Sequence, residues 1–186
     1  MAQRSLRVTG GTARGIPLVE PRGVRLRPTS ALVREAIFNI LGDLVTDATV
    51  LDLYAGTGAL GIEALSRGAD RATFIEAHPA ACEAILKSLA RTGLAAQGSV
   101  LRGRLPSALG SLGERFDLVL LDPPYDAEEA GEVLVALEAR LAPGGRVVYE
   151  HGSRYNPPQR PTGLKLDERR VYGDTALAIY LAGETE

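Results

Sequence analysis

The sequence predicts an α/β fold with a doubly wound, mostly parallel seven-stranded sheet that ends in an antiparallel hairpin. The first observation is that strand-like apolar runs alternate with helical segments between Thr49 and His151. Strands joined through helices form right-handed βαβ units, with helices on both faces of a parallel sheet. The second observation is a pair of strand-like runs, residues 164–173 and 174–183, that meet at Gly173-Asp174. A tight turn at that point makes the last two strands antiparallel.

The first 28 residues are predicted to form a small basic β-hairpin arm, separate from a domain that spans residues 29–186. They are rich in Gly, Pro and Arg, with short strand-like pieces at 6–9 and 16–19. A helix follows, because Thr29 or Ser30 can cap its start, apolar residues recur at helical spacing and Gly42 can end it. The alternating pattern then predicts strands at 49–53, 71–76, 99–102, 116–122 and 145–151, and helices at 59–67, 80–91, 106–112 and 128–140.

Length and composition are those of a globular protein with one domain and a small appendage. The chain has 186 residues, of which 45% are hydrophobic and 24% charged. It has no apolar run of about 18 residues, as a membrane helix needs, and its start lacks the apolar stretch of a signal peptide, so a cytoplasmic location is expected. The single cysteine, Cys82, excludes an internal disulfide and a cysteine metal cluster, and no metal is expected.

The charge distribution separates the start of the chain from the rest. The net charge is −2, yet residues 1–34 hold seven arginines and one acid, giving +6 there and −8 elsewhere. A basic segment on an acidic body indicates a polyanionic partner for that segment alone. We therefore predict that nucleic acid contacts Arg7, Arg14, Arg27 and Arg34.

A glycine-rich turn follows the first parallel strand in "VLDLYAGTGALGIEAL". Gly56 and Gly58 allow the backbone to approach a ligand at the sheet's switch point, and the next helix offers its N-terminus. Glu76 ends the second strand and can accept hydrogen bonds from both ribose hydroxyls of a nucleotide-like cofactor. A dinucleotide and S-adenosylmethionine (SAM) both fit this pattern. Asp52 favours SAM, because a carboxylate suits its amino-acid moiety better than a pyrophosphate; the alternative is a turn that uses glycine for packing alone.

In the sequence "FDLVLLDPPYD", a predicted buried strand is followed directly by Asp122, two prolines and Tyr125. Both prolines stop the strand and stiffen the turn. Asp122 and the Pro123 carbonyl can accept the two N–H groups of an exocyclic nucleobase amine, aim its lone pair at a methyl donor and stabilise the developing charge. Tyr125 can stack on the base once it has left its helix. These three residues are the predicted catalytic set; the alternative is a proline-stiffened turn with a capping aspartate.

Five segments spread over nearly the whole chain carry a family resemblance: "RVTGGTARGIPL", "LRPTSALVREAIFNIL", "LDLYAGTGALGIEALSRGA", "LDPPYD" and "RRVYGDTALAIY". Together they resemble the bacterial 16S rRNA guanine-N2 methyltransferase family called RsmD, among the Rossmann-like class I methyltransferases. The resemblance implies SAM as cofactor, and methylation of the N2 of one guanine in 16S rRNA, with an assembled small-subunit (30S) particle as substrate and a monomeric enzyme. It gives supporting roles to Thr29, Arg34 and Glu35. The cofactor set is Asp52, Tyr54, Gly56, Thr57, Gly58, Glu76, Ala77, Arg104, Leu105 and Asp122, where Arg104 stands in place of the acid that many SAM enzymes carry after the third strand.

Three other functions remain possible from the residues alone. A DNA adenine or cytosine amino-methyltransferase could use the same Asp122 turn, although the chain has no long insertion for a target-recognition domain. A nicotinamide-dependent oxidoreductase would leave residues 122–125 and the antiparallel end unexplained. A non-catalytic RNA-binding protein would leave the cofactor residues without a use.

Overall fold

The computed structural model of the protein describes residues 5–24, 29–124 and 129–183. Its centre is a seven-stranded sheet with the strand order β3-β2-β1-β4-β5-β7-β6. Strands β1 to β5 are parallel, and β7 lies antiparallel between β5 and β6. The predicted fold class, including the antiparallel end, is confirmed. The strands are β1 (Thr49–Leu53), β2 (Arg71–Glu76), β3 (Gly98–Arg102), β4 (Phe116–Leu121), β5 (Leu141–Gly152), β6 (Leu164–Tyr172) and β7 (Thr175–Ala182).

Four α-helices in the described part of the chain flank the sheet: α1 (Ala31–Leu41), α2 (Ala59–Ser66), α3 (Pro79–Thr92) and α4 (Ala130–Ala136). Ser30 caps α1, because its side chain accepts a hydrogen bond from the Val33 amide, and Gly42 follows the last residue with a positive φ of 51°. Two predicted helices are shorter and tighter than expected. The predicted helix at 106–112 is a 3₁₀ helix, Ser107–Ser111, and the end of the predicted helix at 128–140 is another, Glu138–Arg140. Short 3₁₀ turns of this kind are common at helix ends and connections.

The two faces of the sheet carry two apolar cores. Alternate residues of a strand point to opposite faces. Val50, Leu118 and Leu120 pack with residues of α1, α2 and α3 in one core, whereas Leu51, Val119 and Leu121 pack with α4 in the other. The same alternation continues from Val50 to Asp52 and from Leu120 to Asp122. Both aspartates therefore belong to the face covered by α1.

Residues 5–24 form a small hairpin, which we call the N-terminal hairpin. It has an isolated antiparallel bridge between Arg7 and Pro17. This hairpin packs against the rest of the chain, because Val8, Ala13 and Leu18 are buried in the core shared with α1 to α3. The domain boundary predicted at residue 28 stays a prediction, since residues 25–28 lie outside the described ranges. No helix among the described residues is long and apolar enough to cross a membrane.

Candidate active site

A pocket of about 690 Å³ opens at the carboxyl ends of the parallel strands, beside the start of α1. This edge, where the strand order reverses, is the usual ligand site of open α/β sheets. Eight of the predicted site residues line it: Asp52, Tyr54, Gly56, Thr57, Glu76, Ala77, Asp122 and Pro123. The remaining lining residues are Thr29, Ser30, Leu32, Val33, Ala55, Ala59, Leu60, Pro124, Glu150, Tyr172, Asp174 and Thr175.

The glycine turn between β1 and α2 forms the floor of the pocket. Gly56 and Gly58 have φ values of 54° and 73°, in the left-handed region that favours glycine. Gly58 does not line the pocket, because it packs on the core side of the turn. A Cβ atom at Gly58 would lie 3.0 Å from Cγ1 of Ile85. Gly58 is therefore required for the shape of the turn, whereas the role of Gly56 in the close approach of a ligand stays a prediction.

Glu76 is held in place at the end of β2 by two backbone amides. The Gly56 N–H donates to Oε2 at 2.8 Å, and the His78 N–H donates to Oε1 at 2.7 Å. A carboxylate has about four acceptor positions, so each oxygen retains capacity for one further donor. The carboxylate is thus fixed towards the glycine turn and can still accept two hydroxyl groups from a ligand.

Asp52 is a buried carboxylate in the same wall. Its Oδ2 accepts the Gly61 N–H at 2.9 Å, and the residue is 1% exposed. Burial raises the pKa of Asp52 well above its ordinary value, and the nearby charges of Asp122 and Glu76 raise it further, while the Gly61 hydrogen bond opposes them. A cationic group in the pocket would favour the ionised form.

Asp122 directly follows β4 and lies at the centre of the pocket. It is held by Thr29, which precedes α1 in the sequence. The Thr29 hydroxyl donates to Asp122 Oδ2 at 2.5 Å. Thr29 is free to do so because Ser30, and not Thr29, caps the helix. Pro123 is buried and Pro124 exposed, and both line the pocket. Tyr125 lies outside the described residues, so its stacking role stays a prediction.

Arg34 is buried, which contradicts its predicted contact with RNA. The residue is 2% exposed, and its guanidinium donates to the Thr29 carbonyl at 2.7 Å and to the Arg7 carbonyl at 2.9 Å. Burial lowers the pKa of Arg34, partly offset by the charges of Glu63 and Glu35. Arg34 therefore joins the N-terminal hairpin to the residue that binds Asp122. Its helical spacing from Ile37 and Phe38, at i+3 and i+4, is a sequence signal for this buried position.

The other predicted RNA contacts lie on or next to the N-terminal hairpin. Arg7 and Arg14 are exposed. The Arg7 guanidinium donates to the Gly15 carbonyl at 2.8 Å and so supports the hairpin itself. Arg27 falls in residues 25–28, outside the described ranges. Arg14 is exposed, and its side chain makes no hydrogen bond or ion pair with the described residues.

Arg104 and Leu105 do not line the pocket, so the structure does not bring them to the predicted cofactor site. Arg104 is exposed, and Leu105 packs against the core on the α4 side of the sheet. Tyr54 does line the pocket. Its hydroxyl donates to Glu129 Oε1 at 3.3 Å, and burial, together with Glu129, raises the pKa of the phenol.

Two parts of the pocket wall were missed by the sequence interpretation. One is the pair Leu32 and Val33 of α1, which face the cavity beside Thr29, a residue to which the family resemblance gives a supporting role. The other is formed by Glu150 of β5 and the turn between β6 and β7, which includes Asp174 and Thr175. Glu150 had a signal, because it is an acid that directly follows the apolar residues "VVY" within a predicted strand.

The sheet order and the pocket at its switch point are those of a class I methyltransferase. The chain belongs to the family described as "Conserved hypothetical protein 95", whose model matches residues 6–181. It is 36% identical over 177 residues to ribosomal RNA small subunit methyltransferase D of Escherichia coli K12, covering 94% of this chain and 89% of the relative. It is 28% identical over 187 residues to the protein of the same name from Haemophilus influenzae, covering 96% and 95%.

Solved structures agree with this family. The protein described as "Putative methyltransferase yhhF from Escherichia coli" superposes with a TM-score of 0.86 at 36% identity, covering 97% of this chain and 99% of that one. A hypothetical protein from Thermus thermophilus superposes with a TM-score of 0.77 at 33% identity, covering 97% and 99%. The resemblance to the RsmD family stated from the sequence motifs is confirmed.

Proposed function

We propose that this protein, a small-subunit rRNA methyltransferase by family, transfers a methyl group from SAM to the exocyclic N2 of a guanine in 16S rRNA. The substrate in this proposal is a 30S particle. The observation that carries the proposal is the position of Asp122. This carboxylate is oriented by the Thr29 hydroxyl and lies in the same pocket as Glu76 and Asp52. A methyl donor and an amine can therefore meet beside it.

The residues of β1 and β2 fit SAM. Glu76 keeps acceptor capacity on both oxygens for two ribose hydroxyls, and Gly56 lets the backbone approach the ligand. Burial raises the pKa of Asp52, and a cation would stabilise its ionised form, so this residue is suited to the amino group of the methionine moiety. When bound, SAM supplies an electrophilic methyl group, so the protein has only to position the acceptor.

The difficult part of the reaction is the acceptor, because the lone pair of an exocyclic amine is delocalised into the base. Asp122 accepts one N–H of the amine and the Pro123 carbonyl accepts the other. Two acceptors turn the nitrogen lone pair towards the methyl group and stabilise the positive charge that develops on nitrogen. The hydrogen bond from Thr29 fixes the Asp122 carboxylate and leaves further acceptor positions for the amine.

The charge distribution fits a large RNA substrate. The body of the protein is acidic and repels phosphates, whereas the first 34 residues carry a net charge of +6. Exposed arginines such as Arg14 can contact phosphates near the target base. The target base itself must leave its helix to enter the pocket.

The test measures methyl transfer from labelled SAM to 30S particles that lack the modification, with nucleoside mass spectrometry of the product. Asp122→Ala is expected to keep its fold and near-normal SAM affinity and to lose about 10²-fold or more in rate, the usual scale for one positioned electrostatic group. Asp122→Asn, which keeps one acceptor oxygen, should retain partial activity if hydrogen-bond geometry dominates.

Asp117 offers a matched control at the opposite end of β4. Its carboxylate accepts hydrogen bonds from the Thr49 amide and hydroxyl, and it is exposed and outside the pocket. Asp117→Asn should therefore methylate at close to the wild-type rate. A folded Asp122→Ala protein with the wild-type rate would refute the mechanism. A product other than N2-methylguanosine would refute guanine N2 as the methylated group. An increase in Tm with NAD but not with SAM would refute the proposal that SAM is the cofactor.

A further inference from the structure

Glu150 is a buried acid in the pocket wall to which the reaction above gives no task. It lies in β5, is 7% exposed and lines the same pocket as Asp122. Placing a carboxylate in an apolar strand costs folding free energy unless donors surround it. A carboxylate has acceptor positions for about four donors, so Glu150 can serve the fold and still accept one more from a ligand.

The strand register places Glu150 next to Asp122. Leu121 of β4 pairs with Tyr149 of β5 in the parallel ladder, so the residues that follow each of them are neighbours across the two strands. Leu121 and Tyr149 both belong to the core on the α4 side. Asp122 and Glu150 therefore both point to the other face, which holds the pocket. Neighbouring strands lie about 4.8 Å apart, so two acidic side chains that leave them on the same face can both contact one small ring.

The strand order divides the pocket into two halves at Asp122. The proposed cofactor residues Asp52 and Glu76 belong to β1 and β2, on one side of β4. Glu150 and Thr175 belong to β5 and β7, on the other side. Methyl transfer has to occur where the two halves meet, so the half that contains Glu150 is the one left for the target base.

We propose that Glu150 accepts the N1–H of the target guanine, beside the N2 amine at Asp122, and so selects guanine over other bases. This inference rests on the function proposed above and names a specificity residue within it. Guanine carries two neighbouring donors on its Watson–Crick edge, N1–H and the N2 amine. Adenine and cytosine carry a ring nitrogen lone pair beside their amine, and that lone pair would face the oxygen of Glu150. A site that is built to bind a hydrogen-bond donor strongly rejects analogues that lack this donor.

The experiment replaces the target guanine with 2-aminopurine in reconstituted 30S particles. This base keeps the 2-amino group but has a lone pair instead of a hydrogen at N1. The wild-type protein should methylate guanine about 10²-fold faster or more, on the scale of a lost hydrogen-bond donor in a built site. Glu150→Gln should reduce that ratio at least about 10-fold, because a glutamine amide can donate to N1 of 2-aminopurine. The missing O6 of 2-aminopurine affects both proteins alike and cancels in the comparison.

Two controls separate base selection from general damage. Asp167→Asn makes the same carboxylate-to-amide change on the exposed side of β6, outside the pocket, and should keep the wild-type ratio. SAM affinity of Glu150→Gln, measured by calorimetry, should equal that of the wild type, because Glu150 is on the far side of Asp122 from the cofactor residues.

The outcomes distinguish this inference from the function on which it rests. If the wild-type protein methylates guanine N2 but accepts 2-aminopurine equally well, the selection by Glu150 is wrong and the proposed function stands. This comparison uses only the wild-type protein, so it tests the selection of guanine even if Glu150→Gln fails to fold. An unchanged ratio in a folded Glu150→Gln protein would have the same meaning. A wild-type protein that methylates no guanine in the particle would overturn both.

Discussion

Replacing Glu63 with glutamine tests how the N-terminal hairpin is attached to the domain. Glu63 lies in α2 with a fully buried side chain. Its Oε2 accepts the Thr9 N–H at 2.8 Å, and its Oε1 accepts the Gly10 N–H at 2.7 Å and the Thr9 hydroxyl at 2.7 Å. Arg67 forms an ion pair with Oε1 at 3.0 Å. One carboxylate thus binds the hairpin at three points.

The expected cost follows from these contacts. Glutamine has one acceptor oxygen and one NH₂ group, so an amide donor would face either the Thr9 N–H or the group of donors at Oε1. At least one backbone N–H then loses its acceptor, at about 1–3 kcal/mol, and Arg67 loses its partner charge. The Arg67 side chain is 25% exposed, so solvent reduces that second contribution. We expect a total of about 2–4 kcal/mol, which corresponds to a fall in Tm of about 5–15 °C for a chain of this size.

The assay combines thermal unfolding with trypsin cleavage after the exposed Arg14. If the hairpin detaches before the domain unfolds, cleavage at Arg14 should accelerate on the order of 30-fold or more, because cleavage follows the population of the open form. Glu83→Gln is the control. Glu83 forms an exposed ion pair with Lys87 at 2.6 Å, and its replacement should leave both the Tm and the cleavage rate close to those of the wild type. Glu63→Gln with the wild-type Tm and cleavage rate would show that these contacts do not hold the hairpin.

Three further predictions concern the pocket and the hairpin surface. The pKa of Asp52 is raised in the folded protein, so the stability of the wild type falls as pH rises from about 4 through the folded-state pKa. An asparagine at this position does not titrate, so the variant lacks this contribution. The Tm of Asp52→Asn minus that of the wild type, without cofactor, should therefore increase between pH 5 and pH 8; a difference that is constant with pH would contradict the raised pKa. Glu76→Ala should weaken SAM binding by up to a few kcal/mol in calorimetry and also lower Tm, since the Gly56 and His78 amides lose their acceptor; unchanged affinity would remove Glu76 from the site. Arg14→Gln should lower the salt dependence of RNA binding by about 0.7 to 0.9 in slope and leave SAM affinity unchanged, and an equal slope would mean that Arg14 contacts no phosphate.

The sequence predicts the sheet and the centre of the pocket well because both rest on local patterns. Strand periodicity, the glycine turn and the two prolines after Asp122 each act within a few residues. They also fix which strand ends carry Asp52, Glu76 and Asp122, and parallel strands bring those ends to one edge.

The rest of the site depends on contacts between distant segments. Glu150 reaches the pocket because β5 pairs with β4 in a register that places it beside Asp122. Thr175 reaches it because β7 inserts between β5 and β6, and no local pattern specifies either pairing. Arg34 was misassigned because a charge count treats every arginine as exposed, whereas its guanidinium binds two carbonyl groups in the interior. The cofactor contact of Leu105 stays a prediction, because the loop after β3 packs this partly buried side chain against the core on the α4 side.

The contacts that hold the N-terminal hairpin are made largely through its backbone. Arg34 binds the Arg7 carbonyl, and Glu63 binds the Thr9 and Gly10 amides. A grafted or redesigned hairpin would therefore have to reproduce this backbone conformation as well as the buried side chains of Val8, Ala13 and Leu18. Deleting the hairpin would instead leave two buried charges of opposite sign without those partners. The outward side chains, which include the proposed RNA contact Arg14, can consequently change while the attachment through Arg34 and Glu63 is preserved.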